Sequence, residues 1–93
     1  MAVLFECDPT KAESNRRKHG VTFEEATTVF YDPLASTLAD DQHSYDEARM
    51  ITIGLSDRNR LLFVVYTEIG PVICLIGARV ATAFERKQYE DVS

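Results

Sequence analysis

Signatures of metal and cofactor chemistry are missing from this chain. It has no C-x-x-C, no H-E-x-x-H and no glycine-rich phosphate loop, so the sequence calls for no cofactor and no metal. Cys7 and Cys74 are too few for a disulfide framework and are expected as reduced, small core residues. No apolar run approaches the roughly 20 residues needed to span a bilayer. The opening stretch MAVLFECDP lacks the basic region and apolar core of a signal peptide. The expected location is the cytoplasm, with no membrane attachment. Positive charge is also scarce: 10 Lys and Arg stand against 15 Asp and Glu, a formal net charge of −5. Such a chain is a poor non-specific binder of polyanions.

The residues that are present make a globular chain, 45% hydrophobic and 27% charged. Its 93 residues suit one small domain, residues 1–93, with one core and little margin. The negative charge is concentrated in the middle. Residues 24–57 hold eight acids and one base, Arg49, whereas residues 1–23 hold four bases against three acids and residues 58–93 five against four. A polyanion would need a local pocket assembled from the two ends. Alternatively, the acidic middle is a surface for a basic partner.

Residues 8–23, DPTKAESNRRKHGVTF, predict a helix, a glycine stop and a second helix start. Asp8 caps the first helix, with Pro9 at its first position, where a missing N–H costs nothing. Gly20 follows the cations Arg16, Arg17, Lys18 and His19, a common pattern at a helix C-terminus. Thr22 and Glu25 have capping-box spacing, and Val21 can staple onto Ala26. The first helix has an unusual inner face. Ala12, Asn15, Arg16 and His19 hold the core-facing spacing, yet only Ala12 is apolar. Such a helix docks through polar contacts, with Asn15 and His19 bonding to neighbouring backbone, or presents them to a ligand.

Elsewhere, residues 2–7 read as a short strand, 23–30 as the second helix stopped by Asp32-Pro33, and 34–39 as a weak edge strand. Residues 40–46 form a polar loop. Residues 47–56 alternate, with Ile51, Ile53 and Leu55 on one face. After a turn at 57–60, residues 61–67 (LLFVVYT) are apolar throughout and suit a strand buried on both faces. Gly70-Pro71 turns the chain into a last strand, 72–78. Thr82 and Glu85 open a final helix with a second capping box. The order β-α-α-β-β-β-β-α predicts an α+β fold: a largely antiparallel sheet with helices packed on one face.

The chemistry-bearing groups are cations at element ends. Lys18 and His19 close the first helix, Arg79 follows the last strand, and Arg86 and Tyr89 share a face of the final helix. If these converge, they surround a phosphate. Arg presents a planar fork to phosphate oxygens, His carries protons, and Tyr donates a hydrogen bond or stacks on a base. RNA cleavage without a metal needs little more: deprotonation of the 2′-OH, stabilisation of the phosphorane, and protonation of the leaving oxygen. Each residue also has a plainer reading, Arg86 paired with Glu90 and Tyr89 packed on the sheet among them. His43, amid Asp40, Asp41, Asp46 and Glu47, suits a solvated acidic loop better than a metal site.

Three segments, FECDPTKAESNRRKHGVTFEEATTVFYDP, DDQHSYDEARMITIGLSDRNRLLFVVYTE and IGARVATAFERKQYE, resemble the BrnT family of type II toxins over nearly the whole chain. The resemblance implies a RelE/ParE-like α+β fold and a ribonuclease that stops translation. It also implies a BrnA-like ribbon-helix-helix antitoxin that binds DNA, so that the toxin meets DNA only indirectly, in a hetero-oligomer repressing its own operon. The KHG segment places Lys18 and His19, and AR..ATxxERxxYE places Arg79, Thr82, Glu85, Arg86, Tyr89 and Glu90. HS..E.R places His43, Ser44, Glu47 and Arg49. Two positions depart: Cys7 stands where the family pattern has Trp, and Gly77 where it tends to have Ser.

The reading is therefore an endoribonuclease with candidate catalytic residues Lys18, His19, Arg79, Arg86 and Tyr89. Arg79 and Arg86 would stabilise the phosphorane, Lys18 and His19 would transfer protons, and Tyr89 would position the RNA. The alternative is a catalytically weak binding component that holds a DNA-binding partner for repression.

Overall fold

The computed structural model describes residues 4–39 and 49–92. The polar loop of residues 40–46, with His43 and Ser44, and Glu47 lie outside the described residues. The elements are β1 (Leu4–Glu6), α1 (Pro9–His19), α2 (Phe23–Thr28), a 3-10 turn (Val29–Tyr31), β2 (Ser36–Ala39), β3 (Arg49–Leu55), β4 (Leu61–Ile69), β5 (Val72–Val80) and α3 (Ala83–Val92). The sheet order is β1-β5-β4-β3-β2. Every pairing is antiparallel except that of β1 with β5.

Local chemistry sets the helix ends. The Asp8 carboxylate accepts from the Thr10 N–H at 2.8 Å, and Gly20 ends α1 at φ 68°, a left-handed conformation that glycine adopts without steric cost. At α2, Thr22 Oγ1 accepts from the Glu25 N–H at 3.1 Å. The expected capping box is only half made, because the Glu25 carboxylate turns instead to Ser56 and Arg60. The box at α3 is complete: Glu85 N–H donates to Thr82 Oγ1 at 3.2 Å, and Thr82 N–H to Glu85 Oε1 at 2.9 Å.

The helices lie on both faces of the sheet, not on one. On the first face Val21, Phe23, Ala26 and Val29 pack on Leu62, Val64, Tyr66, Leu75 and Ala78. On the second, Ile51, Ile53 and Leu61 are buried with Phe63, Val65, Ala81 and Tyr89 of α3 against them. The physical reason is in β4, whose alternate residues are apolar on both sides; each fully buried aliphatic chain contributes about 1.5–3 kcal/mol, so neither face tolerates water. A bulge adjusts β5: Gly77 pairs with Val65 and Leu75 with Tyr66, which leaves Ile76 as the extra residue. Leu75 and Ala78 thereby reach the same core although three positions apart. Gly54 permits the close approach of the 3-10 turn, since a Cβ there would lie 3.1 Å from both the Val29 carbonyl oxygen and Ala35 Cβ.

Candidate functional site

The polar inner face of α1 is explained by one side chain. β1 pairs only with residues 72–74 of β5, so the remainder of that strand edge lacks a strand neighbour. Asn15, 7% exposed, serves there in place of a strand. Its Oδ1 accepts from the Ala78 N–H at 3.0 Å, and its Nδ2 donates to the carbonyls of Ala78 at 2.8 Å and Val21 at 2.9 Å. The amide thus ties α1, the following loop and β5 together, and only Ala12 and Asn15 of the expected inner face turn inward. Arg16 and His19 are exposed, and Arg16 pairs with Glu13 at 2.6 Å.

Beyond Asn15, α1 presents Lys18 and His19 to a groove of about 430 Å³ that also takes in Thr10, Lys11, Ser14, Ile76 and Gly77. Arg79, Arg86 and Tyr89 are not among its walls. They belong to the other face and to α3, so the five candidates do not enclose one hollow. Gly77, two residues before Arg79, lines the groove of Lys18 and His19. A Cβ built on it would meet Asn15 Oδ1 at an ordinary 3.6 Å.

Arg79 is held on two sides. Its guanidinium lies 4.1 Å over the Phe63 ring, a favourable cation–π geometry. Its Nη1 and Nη2 donate to Glu85 at 2.7 and 2.8 Å. Hydrogen bonding from Arg79 holds the Glu85 carboxyl below its ordinary range, and Glu85 in turn raises Arg79. Tyr89 is also engaged: its hydroxyl donates to Asp32 Oδ2 at 2.6 Å, and that bond, with burial, pushes the phenol up to about 12. Burial raises the Asp32 carboxyl, but Tyr89 and the N–H groups of Leu55 and Leu34 more than offset it, leaving the group lowered. Asp32 therefore joins the 3-10 turn, the end of β3 and α3. Arg86 is exposed on α3.

The sequence marked Arg49 and Glu25 but not the surroundings the fold gives them. Arg49 opens β3 opposite Thr67, on the face that carries Ile51 and Ile53, and its Nε is buried without a hydrogen-bond partner among the described residues. Glu25, 4% exposed, receives Ser56 Oγ at 2.7 Å and Arg60 Nε at 2.9 Å, with a second Arg60 bond closing the fork. Those partners lie more than thirty residues away, so no local pattern signals them. Cys7 and Cys74 are free thiols, Cys7 exposed. It edges an apolar groove of about 450 Å³ floored by Phe5, Ala12, Phe23 and Leu75. Among the described residues no cluster of His, Cys, Asp or Glu suits a metal ion, and no helix is long and apolar enough to cross a membrane.

No curated protein matches the chain. Among solved structures, the 1.1 Å crystal structure of the Brucella abortus ribonuclease toxin BrnT superposes with a TM-score of 0.67 at 19% identity, covering 87% of this chain and 99% of that one. At that identity the likeness speaks for the fold: a sheet of five strands with three helices. A sequence model described as ribonuclease toxin, BrnT, of type II toxin–antitoxin system matches residues 7–85, and the chain accordingly belongs to the BrnT family of toxins.

Proposed function

We propose that the protein is an endoribonuclease toxin of the cytoplasm that cuts RNA to stop translation. A BrnA-like ribbon-helix-helix antitoxin would neutralise it, and the hetero-oligomer would repress its operon by touching DNA through that partner. The fold reading attached to this is RelE/ParE-like, and the 93 residues act as one domain. The observation that carries the proposal is Arg79, a planar cation held over Phe63 by the Glu85 fork. Such a group is set in advance for a nucleotide and loses little freedom on binding. Arg86 and Tyr89 stand on α3, the helix that supplies Glu85, while Lys18 and His19 offer a second cationic groove beyond the edge of β5 along which the RNA continues. Cleavage of single-stranded RNA by the purified chain, compared with Arg79→Ala and His19→Ala, tests this. Loss of cleavage in the variants supports it, and unchanged cleavage in both removes the site.

One observation favours a second reading, in which the chain binds its partner and does not cut. The two sets of cations are separated, and Glu85 already neutralises Arg79. Expression of the chain alone separates the two readings: growth arrest supports the enzyme, and unimpaired growth the binding component.

A further inference from the structure

Two arginines share the α3 face of the sheet, and their surroundings differ. Arg79 pairs in register with Phe63, and Arg49 with Thr67, four residues further along β4. Strand geometry puts their Cα atoms roughly 17 Å apart on a diagonal across β4. Phe63 and Val65 lie between them, both only partly buried. Arg79 has its hydrogen-bonding edge turned to Glu85 and the Val80 carbonyl and its guanidinium carbon 4.1 Å over the Phe63 ring. Even so held, its side chain is 36% exposed. Arg49 is the reverse: its Nε is buried and unpartnered among the described residues. A buried donor without a partner is costly, and points to an acceptor that the free chain lacks.

Resting on the ribonuclease reading, we propose that these residues form a single-strand binding track with divided roles. Arg49 turns its unpartnered guanidinium to a backbone phosphate, and Arg79 serves as the stacking surface for a base, backed by Phe63 and held at its edge by Glu85. The strand runs diagonally over Val65. Alternating cationic and flat apolar groups are the means by which proteins hold single strands with little sequence preference. Arg79 then acts through its plane, not through a fork closed on the phosphorane.

The two roles separate by salt dependence. The probe is a 2′-O-methylated single-stranded RNA oligonucleotide, which lacks the nucleophile for cleavage, titrated against the wild type, Arg49→Gln and Arg79→Lys at several salt concentrations. Arg49→Gln should weaken binding about tenfold and lower the slope of log affinity against log salt by about 0.7, one phosphate contact on a single strand. Arg79→Lys keeps the charge and loses the plane, so affinity should fall about tenfold at unchanged slope. Removing an unpartnered donor should leave the melting temperature of Arg49→Gln at or above the wild-type value. Wild-type affinity and slope in Arg49→Gln, or a clear drop in its melting temperature, overturns the phosphate role. A reduced slope in Arg79→Lys overturns the stacking role. A wild type that neither binds nor cuts RNA refutes the ribonuclease reading itself, whereas one that cuts RNA with both variants unaltered refutes only this track.

Discussion

Replacing Asn15 by Ala should be among the most damaging single changes in α1. Three hydrogen bonds disappear, and the Ala78 N–H, Ala78 carbonyl and Val21 carbonyl lose their partner in a buried position. A net hydrogen bond contributes about 1 kcal/mol, and a stranded buried group costs about 1–3 kcal/mol. Because the neighbouring groove lets water reach part of this edge, we expect about 3 kcal/mol in total. For a chain of this size each kcal/mol moves the melting temperature by about 4–8 °C, so the variant should melt roughly 15 °C lower. Asn15→Asp sharpens the test. The ionised carboxylate still accepts from Ala78 N–H but faces two carbonyls, so burial and repulsion raise its folded pKa. Protonation restores one donor; the deficit relative to wild type should therefore shrink in acid and grow as pH rises through that pKa. Thermal melts across pH measure both effects. An Asn15→Ala shift under about 4 °C, or an Asp deficit that widens in acid, would refute the account of α1 docking.

Arg60→Ala leaves the Glu25 carboxylate buried without its main partner and should cost about 3 kcal/mol in denaturant titration. Arg60 holds the Glu25 pKa below the ordinary 4.5, so the stabilisation is complete above that value and is lost as the pH falls through the folded pKa; wild type should lose stability there, and Arg60→Ala less so. Tyr89→Phe should cost about 1 kcal/mol and raise hydrogen exchange in α3. With the Tyr89 phenol at about 12 against an ordinary 10.0, its contribution is full below pH 10 and is lost as pH rises through 12, and ultraviolet titration should show a late transition that Tyr89→Phe removes. Cys7→Trp places a ring over the groove floored by Phe5, Phe23 and Leu75 and should stabilise by about 1 kcal/mol, read as a higher melting temperature.

Features governed by residues three or four apart were legible in the sequence. Asp8, Pro9 and Gly20 bound α1, Thr82 with Glu85 opens α3, and the apolar run of β4 marks a strand covered on both sides. That run also carried the clue to helices on both faces, because one layer cannot dry two surfaces. Local spacing settles these matters because helix caps and strand alternation are completed within a turn or a few residues.

What the sequence could not decide was where long-range polar groups meet. Asn15 reaches Ala78 across 63 residues, and Glu25 gives up its own helix N-terminus for Arg60, 35 residues on. Each carboxylate or amide has several acceptable partners, and only the folded chain selects among them by bringing one within hydrogen-bond distance. The separation of Lys18 and His19 from Arg79 arises in the same way: α1 docks at the edge of β5 while α3 crosses the opposite face, so cations at neighbouring element ends come to different sides of one sheet.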